Sequence, residues 1–208
     1  MSDDIILPVR KSLRLKYYNY SNPGLYFVTL CAHQKANLFW QHPFSGMTLN
    51  PAGVMLQHWL DELEHAFPLS VDCSTIMPNH VHAIIQLQDP AAGGHIGPPL
   101  QGHTHNDCVG ADLCVGPPQA VPQSISTILR WFKIMSTNAY IRGVKSDGYQ
   151  PFNGQLWQRS FYDHVIRTEK SHENIRAYIV NNSLKWDQDV ENAAVRADVK
   201  KYYINVIS

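Results

Sequence analysis

Hydrophobic positions along this chain of 208 residues change period several times, and each change marks a new element. Leu25-Tyr26-Phe27-Val28-Thr29-Leu30-Cys31-Ala32 is a near-continuous apolar and aromatic run of strand length, opened by the turn residues Ser21-Asn22-Pro23-Gly24. A run like this fills a central strand covered on at least one face, and Cys31 reads as a small core residue within it. Residues 33–46 are irregular, with Phe39 and Trp40 sealing the core edge. At Asn50, an N-cap residue followed by Pro51 at the first helical position, the period becomes helical. Val54, Trp59, Leu60 and Leu63 recur at that spacing until Phe67-Pro68 ends the element, and His58 and His65 read as surface histidines on it. Two strand-like runs follow, Val71–Met77 and His80–Leu87, and the tight junction at Pro78-Asn79 predicts antiparallel neighbours.

Residues 89–122 break the pattern. They are rich in Gly and Pro, poor in large aliphatics, and predict a flexible insertion inside one domain spanning 1–208. Ser124 caps a second helix with Ile125, Ile128, Leu129, Phe132 and Met135 as its buried stripe and Gly143 just beyond its end. Residues 156–166 form another strand or extended pair. A last helix over 171–182 follows, capped by Thr168 or Ser171, and the tail ends in a docked segment near 202–207. Strand, helix, strand, strand, helix, strand, helix is the order of an α+β fold with a ferredoxin-like βαββαβ core. That fold has an antiparallel sheet with two helices on one face, and leaves the C-terminal helix free to lie across the other.

Charge narrows the functional choices only locally. Lys+Arg and Asp+Glu are equal at 17 each, so any attraction to nucleic acid must come from a patch. One candidate patch is the N-terminal arm, where Arg10, Lys11, Arg14 and Lys16 stand beside Tyr17, Tyr18 and Tyr20. Cations take phosphates and rings take bases, or the tyrosines simply pack the arm on the domain. Another is the second helix, whose Arg130, Lys133 and Arg142 fall mostly outside the apolar stripe and are either solvated or offered to phosphates. The N-terminus has no basic-then-apolar leader and no apolar run is long enough to span a membrane, so the expected location is cytoplasmic. Cys31, Cys73, Cys108 and Cys114 then read as reduced thiols.

The candidate chemistry begins at Met77-Pro78-Asn79-His80-Val81-His82. Side chains alternate along a strand, so His80 and His82 share a face, their Cα atoms roughly 7 Å apart. They are either two polar residues on a solvated face or two ligands converging on one metal ion. His103, His105, Cys108 and Cys114 match no standard zinc-finger spacing. On the last helix, Tyr178 and Asn182 are four residues apart and share one face, about 6 Å between Cβ atoms. A packed tyrosine with an asparagine at a fraying end would look the same. Beside the histidines the pair gains chemical sense. A phenol is a poor nucleophile at its free pKa of ~10, and a cation that polarises a phosphodiester assists both attack and departure. Two imidazoles and an amide oxygen leave coordination positions open for phosphate and water.

Four segments together carry a resemblance: Arg14-Leu-Lys-Tyr-Tyr-Asn-Tyr-Ser-Asn-Pro-Gly-Leu-Tyr-Phe-Val-Thr, Met77-Pro-Asn-His-Val-His, Leu156-Trp-Gln-Arg-Ser-Phe-Tyr-Asp-His-Val-Ile-Arg and Tyr178-Ile-Val-Asn-Asn. In this order they resemble the REP-associated tyrosine transposases of the HUH single-strand endonuclease superfamily. The resemblance implies a ferredoxin-like, single-tyrosine nuclease and strand transferase acting on single-stranded or hairpin DNA through a 5′-phosphotyrosine. It makes His80, His82 and Asn182 the metal ligands, Tyr178 the nucleophile, and Mg²⁺ the metal with Mn²⁺ as substitute. Asn182-Ser183 stands where the family usually has Asn-Pro, and residues 89–122 replace a shorter connection. Two rivals follow from the same residues. One is an idle hairpin-binding module that needs neither metal nor Tyr178. The other is a zinc hydrolase using His80, His82 and a carboxylate or histidine from elsewhere. Monomer and homodimer remain equally open at this level.

Overall fold

The computed structural model describes residues 15, 17–41, 48–88, 123–182, 186, 189, 191 and 192. Arg10, Lys11, Arg14 and Lys16, the 89–122 insertion and the 202–207 segment lie outside the described residues. Four strands, β1 (Gly24–Cys31), β2 (Leu69–Ile76), β3 (His80–Leu87) and β4 (Tyr162–Ile166), form one antiparallel sheet in the order β2-β3-β1-β4. Helices α1 (Pro51–Ala66) and α2 (Ile125–Ser146) complete the βαββαβ core, and α3 (Glu169–Asn182) follows it.

Strand parity divides the interior in two. Tyr26, Val28 and Leu30 of β1 and Val81, Ala83, Ile85 and Leu87 of β3 join Leu56, Leu60 and Leu63 of α1 and Ile128, Leu129 and Phe132 of α2 in the main core. The alternate positions Phe27 and Ile84 meet Ile175 and Ile179 of α3 in a second, smaller cluster. His80 and His82 share the parity of Ile84, so they lie on the α3 face of the sheet. Two buried isoleucines contribute roughly 2–3 kcal/mol each, little for a helix of this length, so α3 depends on polar contacts as well.

The N-caps at Asn50, whose side chain accepts from Gly53 N, and at Ser124, which accepts from Thr127 N, form as expected. Thr168 is the residue that caps the last helix, its Oγ1 accepting from Ser171 N. Four readings change. Val54 is 58% exposed, because α1 turns Ala52 and Gly53 inward, where a side chain on Gly53 would meet the Phe39 carbonyl. Gly143 lies inside α2, not beyond it, since the Tyr149 ring packs against its Cα and leaves no room for a Cβ. Residues 156–161 are mostly loop; only an isolated Ala32–Trp157 bridge extends β1 before β4 begins. Cys31 is half-buried on the α3 face, outside the main core, with Sγ 3.4 Å from Glu191 Oε2. No described helix is long and apolar enough to cross a membrane.

Candidate metal centre and tyrosine helix

The β2–β3 hairpin sets the site. Met77 N donates to His80 O, closing the turn at Pro78-Asn79. Its tip is sealed from outside, Leu38 N and Phe39 N donating to Pro78 O and Ala32 N to Asn79 O. The Asn79 side chain is a hub: its Nδ2 donates to Lys35 O and Glu191 O, and its Oδ1 accepts from His80 Nδ1 at 2.8 Å. Across the sheet, Thr29 pairs with His82 in register and holds His82 Nδ1 at 2.8 Å through Oγ1. With each Nδ1 held by an outer partner, each Nε2 points inward, as in ligating histidines.

The two Nε2 atoms lie 2.9 Å apart. Burial pushes the His80 pKa down to about 3, aided by the Lys35 charge, and pushes His82 well below its ordinary value. Both imidazoles are therefore neutral, and the Asp189 carboxylate oxygen at 3.8 and 4.0 Å from them makes no ion pair with either. That oxygen, Oδ2, is buried without a hydrogen-bond partner among the described residues, while Oδ1 accepts from Glu191 N at 2.6 Å. His80, His82 and Asp189 form a buried group able to hold a metal ion.

Asp189 is carried by a compact turn. Asp189 N donates to Trp186 O and Asn192 Nδ2 donates to the same carbonyl, while the Trp186 ring lies 6.1 Å from that of His80. Glu191 ties the turn to the sheet through a 3.0 Å ion pair with Lys35.

On α3, Tyr178 Oη stands 3.3 Å from His82 Nε2, with the ring edge-on to both His82 and Phe27. The helix is tethered one turn earlier to a bulge in β2 at Asp72. Arg176 Nη1 donates to Asp72 Oδ1 at 2.6 Å, and His172 Nε2 sits 3.0 Å from Oδ2. Burial by itself would raise the Asp72 pKa, but the hydrogen bonds from His172 and Arg176 outweigh it and the net shift is downward. A depressed carboxylate pKa stabilises the fold above its ordinary value, and that contribution disappears as the carboxylate protonates in acid. We therefore expect Asp72→Asn to lower stability by ~1 kcal/mol at neutral pH, the size typical of half-exposed pairs. The difference from the parent protein should shrink as the pH falls through the lowered Asp72 pKa, as read by thermal melts across an acid series.

The structure thus brings together His80, His82 and Tyr178. Asn182 lies one turn beyond Tyr178 and is buried, with Nδ2 unpartnered among the described residues, but it makes no hydrogen bond to either histidine. Arg130 is exposed on α2. Lys133 is not: its Nζ donates to Gln158 O and Ser160 O, and burial pushes its pKa down to about 8. In the arm, Tyr18 and Tyr20 pack edge-on with each other and beside Tyr26, while Tyr17 is 99% exposed. Sequence reasoning missed Asp189, Asn79 and Thr29. For Thr29 a signal existed, since pairing β1 with β3 puts it opposite a histidine.

No protein-family model matches the chain. An uncharacterized protein of Haemophilus influenzae (strain Rd) is 35% identical over 181 residues, which are 86% of this chain and 91% of that protein. The chain belongs to the family of that Haemophilus protein. Among solved structures it is similar to a REP-associated tyrosine transposase bound to a REP hairpin, at 19% identity over 83% of this chain and 74% of that one, with a TM-score of 0.47. A second, from Deinococcus radiodurans, matches 81% of this chain and 95% of its own at 15% identity, with a TM-score of 0.38.

Proposed function

We propose that this family member is a metal-dependent single-strand DNA endonuclease and strand transferase that acts next to hairpin DNA, with residues 1–208 working as one domain that carries 89–122 as an insertion. The observation that carries the reading is the meeting of Tyr178 Oη with His82 Nε2 at 3.3 Å, across 96 residues of sequence, beside a second imidazole and a buried carboxylate oxygen with no hydrogen-bond partner among the described residues. A phenol aimed at a cation site is what transfer to tyrosine requires and what a purely structural tyrosine does not.

In this reading His80, His82 and Asp189 hold Mg²⁺ or Mn²⁺, with the Asn182 amide as a further ligand on the tyrosine helix. When bound, the ion neutralises charge on the scissile phosphodiester and polarises it. Asn79 and Thr29 keep the imidazoles oriented, and Asp72 keeps α3 seated so that Tyr178 faces the site. The Tyr178 oxygen forms a bond to phosphorus as the bond from phosphorus to the 3′ oxygen breaks. The phenolic proton goes to solvent, and the departing oxygen takes one up to become a 3′-OH. The product is a 5′-phosphotyrosine, whose bond energy is kept for attack by another 3′-OH. Arg10, Lys11, Arg14, Lys16 and Arg130 supply phosphate contacts; Lys133 serves them indirectly, by bracing the 158–160 backbone.

Asp189 also favours a second reading, a zinc hydrolase with a His-His-Asp set. The two part on one assay: a labelled hairpin with a single-stranded flank, incubated with Mg²⁺ or Mn²⁺. We expect cleavage that a chelator abolishes while leaving hairpin binding intact. Binding without cleavage under any divalent ion would favour the idle module instead. Stoichiometric zinc in the purified protein, with hydrolysis and no covalent product, would favour the hydrolase.

A further inference from the structure

The α3 face of the sheet is covered unevenly. The helix begins at Glu169, shortly after β4 ends at Ile166, and packs over Ile84 and Phe27 with His172 and Arg176 anchored to Asp72 on β2. Trp186 and Glu191 close the end of the sheet at His80 and Cys31. Among the described residues, the side left uncovered is β4. Strand pairing sets Tyr162 opposite Thr29 and Thr29 opposite His82, so these three side chains form one row on the histidine face. Thr29 is the short member of the row, and its Oγ1 is drawn to His82 Nδ1. At the edge of that row the Tyr162 ring is 40% exposed, a large aromatic left facing solvent beside a buried centre.

Phe27 stands between the two tyrosines. Its ring meets Tyr178 and Tyr162 edge-on, at 6.2 Å from each. In phosphoryl transfer the attacking and leaving oxygens lie roughly in line with phosphorus. Tyr178 approaches from α3, so the leaving 3′ oxygen departs on the far side, toward β4. From His82 to Tyr162 is two strand spacings, about 10 Å of backbone. One nucleotide bridges that gap with its phosphate at the paired Nε2 atoms and its base over the Tyr162 ring. An aromatic face takes any base, because stacking needs only the π-surface that every base has.

We propose that Tyr162 stacks on the base of the nucleotide that carries the departing 3′-OH, and so keeps that strand beside the phosphotyrosine for rejoining. This rests on the nuclease reading and adds to it a residue that separates strand transfer from plain cleavage. The test uses a hairpin with a single-stranded 5′ flank labelled at its 5′ end, so that cleavage in the flank frees a labelled 3′-OH fragment while the hairpin stays on Tyr178. With Mg²⁺ or Mn²⁺ present, denaturing gels follow adduct formation and anisotropy follows release of the fragment. A chase with an unlabelled 3′-OH strand reads how much of the labelled fragment is rejoined. We expect Tyr162→Ala to form the adduct within a few-fold of the parent rate, to release the fragment about ten-fold faster and to rejoin correspondingly less of it. Tyr162→Phe, which keeps the ring, should match the parent protein. Tyr162→Leu, which keeps an apolar contact with Phe27, should follow Tyr162→Ala and so separates lost stacking from any loosening of β4. Equal release from parent and variants, or a loss in Tyr162→Phe as large as in Tyr162→Ala, would overturn the proposal and leave the nuclease reading standing. Loss of adduct formation in both Tyr162→Ala and Tyr162→Leu would place the ring at the chemistry instead, and overturns it too. No adduct with the parent protein would overturn both.

Discussion

Tyr178→Phe should form no covalent protein–DNA product, with cleavage of a flanked hairpin reduced on the order of 10³-fold or more, as when a covalent nucleophile is removed elsewhere. The substitution deletes one oxygen and keeps the ring that packs edge-on to Phe27 and His82, so the fold should be unaffected. Hairpin affinity should stay within a few-fold. The prediction is sharp because Tyr178 Oη points at His82 Nε2 from a helix otherwise seated by two isoleucines and the Asp72 tether. A structural tyrosine in this position would give a variant that melts earlier and still reacts. Denaturing gel electrophoresis of the reaction separates the two outcomes.

The second large effect belongs to Asp189, and its signs are opposite with and without metal. Asp189 Oδ2 is buried with no hydrogen-bond partner among the described residues, so in metal-free protein Asp189→Asn should leave the melting temperature equal or higher. With Mn²⁺ present, the parent protein gains stability through binding linkage and the variant should gain far less, its metal affinity falling about a hundred-fold. Asn182→Ala should weaken metal binding less than Asp189→Asn, because a neutral amide adds no charge to the site. Metal titrations followed by calorimetry and by thermal melts measure both. A metal-free variant that melts well below the parent would mean that Asp189 is there to tie Trp186 and Glu191 together and not to meet a cation.

Much of this architecture was legible from residue pattern. The 3.6 and 2.0 periods located α1, the hairpin, α2 and α3 within a few residues, and parity on β3 assigned both histidines to one face. The four-residue spacing of Tyr178 and Asn182 likewise needed no structure. What escaped was everything set by irregular backbone. Asp189 reaches the histidines from a turn held by Trp186, Glu191 and Asn192, and no periodicity encodes such a turn. Asn79 looked like a turn residue because it is one; its role as a hub depends on the loop at Lys35 and the tail at Glu191 both returning to the hairpin tip. Lys133 looked free on a polar helix face until the 158–160 carbonyls came to it. Gly143 read as a helix stop because glycine favours that position, whereas here it makes room for the Tyr149 ring.

The central claim is that Tyr178 and the His80–His82 pair are two halves of one strand-transfer centre. The most direct measurement is intact-protein and peptide mass spectrometry after incubation with a flanked hairpin and Mg²⁺ or Mn²⁺. The predicted result is a metal-dependent mass increase equal to the strand fragment 3′ of the cleavage point, linked through its 5′-phosphate to the peptide containing Tyr178. Metal-dependent cleavage with no adduct, or an adduct on any other residue, would contradict the account.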